Sequence, residues 1–131
     1  MQTRRSKKRQ AHRERLRQQK PPYLGPLRVM AEYGSSGIWV IGQVGVFRHG
    51  MIEHGDLRLP GEVAERFGRW IAAYEDRLED PPPPPFDYGA FNREGRALAE
   101  ALKRHVGAGT YVEFLPETDE GTGLGPPEEI G

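Results

Sequence analysis

Residues 27–41, LRVMAEYGSSGIWVI, decide how the rest of the chain is read. Leu27, Val29 and Ala31 alternate with Arg28, Met30 and Glu32, the two-residue period of a half-buried strand. Gly34-Ser35-Ser36-Gly37 follows, and a glycine at each end supplies the backbone freedom of a turn. Ile38 to Ile41 then form a β-branched and aromatic run around Trp39. The pattern predicts a β-hairpin with strands over 27–33 and 38–46. Gly42 and Gly45 weaken the far end of the second strand and predict a bulge or bend.

Downstream, Val63, Phe67, Trp70, Ile71, Tyr74 and Leu78 recur at three- and four-residue steps. They predict a helix over 60–79, opened by Pro60 with Glu62 and Glu65 near its positive end. The stripe Phe67-Trp70-Tyr74 suits either a ligand wall or a core, and core is expected because so short a chain needs one. Trp39 is expected to pack beneath that stripe, with Val112 and Phe114 beside it. Five prolines, Pro81 to Pro85, end the helix and read as a stiff polyproline connector. A second helix is predicted over 88–106, capped by Asp87 or Asn92. Its buried stripe is Phe91, Gly95, Leu98, Leu102 and His105 or Val106. Gly95 on that stripe admits a close neighbour, and Gly107 stops the helix. A last strand is predicted over Thr110–Leu115.

The expected fold is therefore α+β. A small antiparallel sheet, made of the N-terminal hairpin and the C-terminal strand, is packed by two helices in the order β-β-α-α-β. Residues 1–22 read as a basic disordered arm and 23–116 as a single α+β domain. Residues 117–131 read as an acidic Gly/Pro-rich tail, expected to be disordered. Its G-T-G-L-G run is followed by two prolines, not by the helix a dinucleotide loop requires.

Zero net charge hides an asymmetry. Residues 1–20 hold nine Lys/Arg and one acid, Glu14, for +8. Residues 21–131 hold ten Lys/Arg against eighteen Asp/Glu, for −8. The arm, with Arg4, Arg5, Lys7, Lys8, Arg9, Arg13, Arg15 and Arg17, has the clustered cations that gain affinity by displacing counterions from phosphates. It lacks the aromatic residues that stack on bases.

The chain has no cysteine, which excludes disulfides, thiolate metal sites and Cys nucleophiles and fits a reducing cytoplasm. No apolar run approaches the ~18 residues of a membrane helix. Nor does an apolar segment follow the basic N-terminus as in a secretory signal. A cytoplasmic protein without membrane contact is expected. His49, Glu53, His54 and Asp56 fall in a glycine-broken loop, and their spacing misses the helical zinc pattern. No metal site and no cofactor are expected.

Three segments together carry a resemblance. They are E-Y-G-x-x-G-I-W (Glu32 to Trp39), L-x-L-P-x-x-V-x-x-R-F-x-x-W-I-x-x-Y (Leu57 to Tyr74), and F-N-x-x-G-R-x-L-A with T-Y-V-E-F (Phe91 to Ala99, Thr110 to Phe114). They resemble a group of small, mostly uncharacterised bacterial cytoplasmic proteins in which a hairpin ending in Trp precedes two helices and a last strand. Some proteins of this look sit beside toxin genes and are suspected immunity proteins. The resemblance spans about residues 23–115, and its motifs are structural, so no active-site residues carry over. The basic arm and the proline run depart from the pattern.

The expected function is a non-enzymatic protein-binding module, an immunity or antitoxin-like factor whose acidic body covers a basic protein or toxin. Its candidate contacts are Glu32, Tyr33, Glu53, Asp56, Glu75 and Asp76. One alternative is a nucleic-acid-associated protein using the basic arm. Another is an enzyme of unknown class, with Glu32 and Tyr33 near His49 or His54 for acid–base work.

Overall fold

The computed structural model describes residues 25–42, 50–77, 86–118 and 125–131. Its elements are β1 (Leu27–Val29), β2 (Ile38–Val40), a short 3-10 helix (His54–Leu57), α1 (Gly61–Asp76), α2 (Tyr88–Val106), β3 (Val112–Phe114) and β4 (Glu128–Ile130). The α+β class and the order β-β-α-α-β are as expected. The strands are shorter than their apolar patterns, and residues 43–49, in the predicted far end of the second strand, lie outside the described residues.

The four strands form one sheet in the order β2-β1-β3-β4. β1 runs antiparallel to β2, and β3 antiparallel to β4, as expected of a small antiparallel sheet. The central pair, β1 and β3, is parallel, so the sheet is mixed. Chain direction explains it. Arg66 faces Glu94 and Trp70 faces Phe91, so α1 and α2 run antiparallel to one another. That pair returns the chain to the end of the sheet where β1 began. From there β3 can only run beside β1 in the same direction.

β4 is the second departure. Residues 128–130 fall in what reads as a disordered tail, yet they pair with β3 and bury Ile130. Arg96 on α2 fixes the strand through two hydrogen bonds to Glu128, both 2.9 Å. Glu-Glu-Ile has a single apolar residue and no strand signal of its own. Its conformation comes from the β3 edge it satisfies.

One sheet face is apolar: Leu27, Val29, Ile38, Val40, Val112, Phe114 and Ile130 are buried there. α1 adds Phe67, Trp70 and Ile71, and α2 adds Phe91, Leu98, Ala99 and Leu102. Trp70 is the hub. Its ring stacks on Phe91 at 4.7 Å, lies 6.3 Å from Phe114 and meets Phe67 edge-on at 6.4 Å. Its indole N–H donates to the Phe91 carbonyl at 3.0 Å. The aromatic stripe of α1 is thus core, with Tyr74 half-buried at its end.

Trp39 does not join it. Ile38 and Val40 take the helix-facing side of β2, so strand alternation sends Trp39 to the opposite face. There it lies in register with Arg28, and its indole N–H donates to the Met30 carbonyl at 3.0 Å. Arg28 in turn pairs with Glu113 at 3.3 Å on the same face. The expectation that Trp39 packs beneath Phe67 and Trp70 is therefore corrected. Asp87 caps α2 by accepting the Ala90 N–H at 2.9 Å, and Gly107, at φ +98°, ends it.

Candidate partner-binding surface

The hairpin, the end of α1 and the segment after β3 meet at one end of the sheet. The hairpin turn supplies Glu32 and Tyr33. Ser35 N–H donates to the Glu32 carbonyl at 3.2 Å, closing the turn, and Gly34 takes φ +69°. Glu32 Oε1 accepts the Tyr33 N–H at 3.1 Å. Glu75, in the last turn of α1, accepts the Gly34 N–H at 3.1 Å. Asp76 is the next residue and is exposed. The fold therefore brings the turn that carries Glu32 and Tyr33 to Glu75 at the end of α1 through a bond that spans 41 residues, with Asp76 following Glu75 on the helix.

Two neighbours complete this surface. Arg77 lies with its guanidinium 4.2 Å from the centre of the Tyr74 ring, a cation–π contact. Glu117, just beyond β3, is half-buried, and burial raises its carboxyl above the ordinary glutamate range. The charge of Arg77 opposes that rise and the charge of Glu32 adds to it, so the three groups sense one another. Asn92 on α2 sets the position of Glu117 with a two-point clamp. Its amide donates to the Glu117 carbonyl at 2.9 Å and accepts the Glu117 N–H at 3.0 Å. Sequence reading offered Asn92 only as a helix cap and placed Glu117 in the tail. An acid directly after the strand-ending Pro116 was the available signal.

The direction of the Glu117 shift sets a pH test. A carboxyl raised on folding contributes stability that is fully present below its unfolded value and is lost as pH rises through its folded value. Glu117→Gln should therefore gain stability on the wild type as pH climbs from acid to neutral. Urea titrations at a series of pH values measure the gap; a gap that stays constant, or shrinks towards neutral pH, contradicts the assignment.

Glu53 and Asp56 belong to a separate loop, tied to Ser36 of the hairpin through the Ile52 carbonyl and His54. Glu53 precedes the 3-10 helix and Asp56 lies within it, and Asp56 Oδ2 accepts the Glu53 N–H at 3.3 Å and steadies its own loop. His54 Nε2–H donates to the Ser36 carbonyl at 2.8 Å, and its ring lies 5.6 Å from Phe67. That imidazole anchors the loop beneath the hairpin. His49 and the arm residues Arg4, Arg5, Lys7, Lys8, Arg9, Arg13, Arg15 and Arg17 lie outside the described residues.

A groove of about 530 Å³ runs between α2 and β4 at the other end of the sheet. Two of its cations are committed to the fold: Arg96 holds Glu128, and Lys103 donates to the carbonyls of Ala108 and Thr110. The hairpin end instead presents exposed acids and an exposed aromatic ring. Among the described residues no group of three His, Cys, Asp or Glu side chains converges as metal ligands, and no helix is long and apolar enough to cross a membrane.

Neither a curated protein nor a solved structure matches the chain. A family model described as Serratia CdiI immunity protein-like does match, over residues 26–117. The span holds β1, β2, both helices and β3, well over half of the 131 residues and the whole gathered surface. The chain therefore belongs to the Serratia CdiI immunity protein-like family.

Proposed function

We propose that this chain is a non-enzymatic immunity protein that binds a toxin protein and covers a basic surface on it. Family membership over residues 26–117 is the observation that carries this function. The acidic hairpin end is the contact surface, with Glu32 and Tyr33 on the turn, Glu75 and Asp76 at the end of α1, and Glu117 within reach of the charge of Glu32. Acids facing a cationic partner speed encounter and reject like-charged partners. The lack of cysteine suits work in a reducing cytoplasm. The basic arm, residues 1–20, lies outside the matched span, so the proposal rests on the domain.

The test is a pull-down with the toxin encoded beside this chain's gene, at about 50 mM and about 500 mM salt, a range that shortens the reach of exposed charges several-fold. Capture at low salt that weakens at high salt is expected. Reversing two exposed acids together, Glu32→Lys with Asp76→Lys, should cut the association rate by about 10-fold or more, because steering acts chiefly on encounter. No capture at either salt rejects the function.

A further inference from the structure

We infer that Tyr33 is the anchor of the partner interface, and that Glu75 is a positioning residue that latches the turn presenting it. The inference rests on the immunity function proposed above and deepens it: the partner offers a cationic cleft that takes an aromatic ring.

The turn is rigid to a degree its length does not require. Ser35 N–H to the Glu32 carbonyl is the i to i+3 bond of a β-turn, with Tyr33 and Gly34 at its corners. Gly34 has a positive φ and Tyr33 does not, which makes the turn type II. Further backbone donors of the turn are engaged as well. Tyr33 N–H goes to Glu32 Oε1, Gly34 N–H to Glu75 Oε2, and Gly37 N–H to Ser35 Oγ at 3.2 Å. Ser35 Oγ also donates to the Glu32 carbonyl at 2.8 Å. The Glu75 bond ties the tip to α1. Behind the turn, Gly37 sits so close to Phe67 and Trp70 that a Cβ would lie 3.1 Å from the Phe67 ring. The hairpin is seated on the core and its tip is tied to α1.

What this rigid tip displays is Tyr33, 59% exposed. A lone exposed tyrosine is ordinary on a protein surface. A tyrosine on a turn whose ordering cost is met before binding suits a hot spot, since tyrosine concentrates interface energy and preorganisation removes the entropy cost of association. Glu32 is exposed beside it on the turn, Asp76 is exposed at the end of α1 next to the latching Glu75, and the half-exposed Glu117 senses the charge of Glu32. An aromatic ring on an end of the domain that carries carboxylates complements a cleft lined with guanidinium or ammonium groups, which pair with the acids and stack on the ring face. Glu75 differs from these acids because its oxygen is already engaged by Gly34. It acts through the turn.

The experiment uses the full chain and the toxin encoded beside its gene, with affinity read by calorimetry. Tyr33→Ala should weaken binding about 30-fold or more, the span of a hot spot. Glu75→Gln keeps an amide oxygen for Gly34 and should bind within about 3-fold of wild type, whereas Glu75→Ala should lose about 10-fold, the scale of one charge-assisted hydrogen bond. In parallel, and without partner, the Gly34 amide should exchange slowly in wild type and Glu75→Gln and faster in Glu75→Ala. If wild type binds but Tyr33→Ala binds within about 3-fold of it, the anchor is wrong and the immunity function stands. If Glu75→Gln falls as far as Glu75→Ala, Glu75 is a charge contact and the latch is wrong. If wild type does not bind the toxin at all, the function and the anchor fall together.

Discussion

Trp70→Ala is expected to remove about 3–5 kcal/mol of stability, the range for truncating a large buried aromatic residue. Trp70 is 4% exposed, and three aromatic rings contact it from both helices and from β3. No neighbour can fill the void without leaving its own element. The indole N–H bond to the Phe91 carbonyl goes as well, and with it a direct tie between α1 and α2. Native stabilities of 5–15 kcal/mol leave little margin for such a loss. For a domain near 100 residues the melting temperature should fall by roughly 12–40 °C, at about 4–8 °C per kcal/mol. Thermal unfolding followed by circular dichroism measures it. A fall of only a few degrees would mean that Trp70 is not the hub of the core.

Gly95→Val should cost about 3 kcal/mol, even though glycine is the poorer helix former by the usual scale. A Cβ at position 95 would lie 2.5 Å from one atom of the Phe114 ring and 2.7 Å from Trp70 Cζ2. Neither ring can retreat, because Phe114 is fully buried and Trp70 is wedged between Phe91 and Phe67. Two further methyl groups compound the overlap, and overpacking of this kind costs 1–3 kcal/mol or more. Gly95→Ala should be milder and still destabilising, since its ~1 kcal/mol propensity gain is opposed by the same contact. Urea unfolding of both variants gives the comparison. A stabilised Gly95→Ala would show that α2 does not press on β3 this closely.

Both residues are legible as core in the sequence. Phe67, Trp70 and Ile71 repeat at helical spacing, and Gly95 stands alone among larger residues on the buried stripe of α2. Trp39 shows the opposite case. Its size and its place in an apolar strand suggested burial under the helix, but alternation with Ile38 and Val40 already assigned it to the other face. In a strand with tryptophan at its centre and one residue on either side, period outweighs hydrophobicity. β4 was not legible at all. Glu128 and Glu129 have no strand preference, and only the free edge of β3 and the guanidinium of Arg96 give them one.

The candidate surface divides in the same way. Glu32 and Tyr33 could be picked out as a carboxylate and a phenol at a turn. Their companions could not be sorted from the other acids of an acidic chain. Glu53 and Asp56 looked equivalent to Glu75 and Asp76, yet Asp56 closes its own loop while Glu75 reaches 41 residues back to Gly34.

By itself the sequence determined the types and order of β1, β2, the two α-helices and β3, because local period, turn glycines and helix caps act over a few residues. It also determined an acidic body joined to a basic arm, which is a matter of composition. The parallel pairing of β1 with β3, the capture of β4, and the meeting of the hairpin turn with the end of α1 were decided only by tertiary structure. Each depends on which distant backbone edge or carboxylate lies within hydrogen-bonding reach, and that distance exists only once the chain has packed.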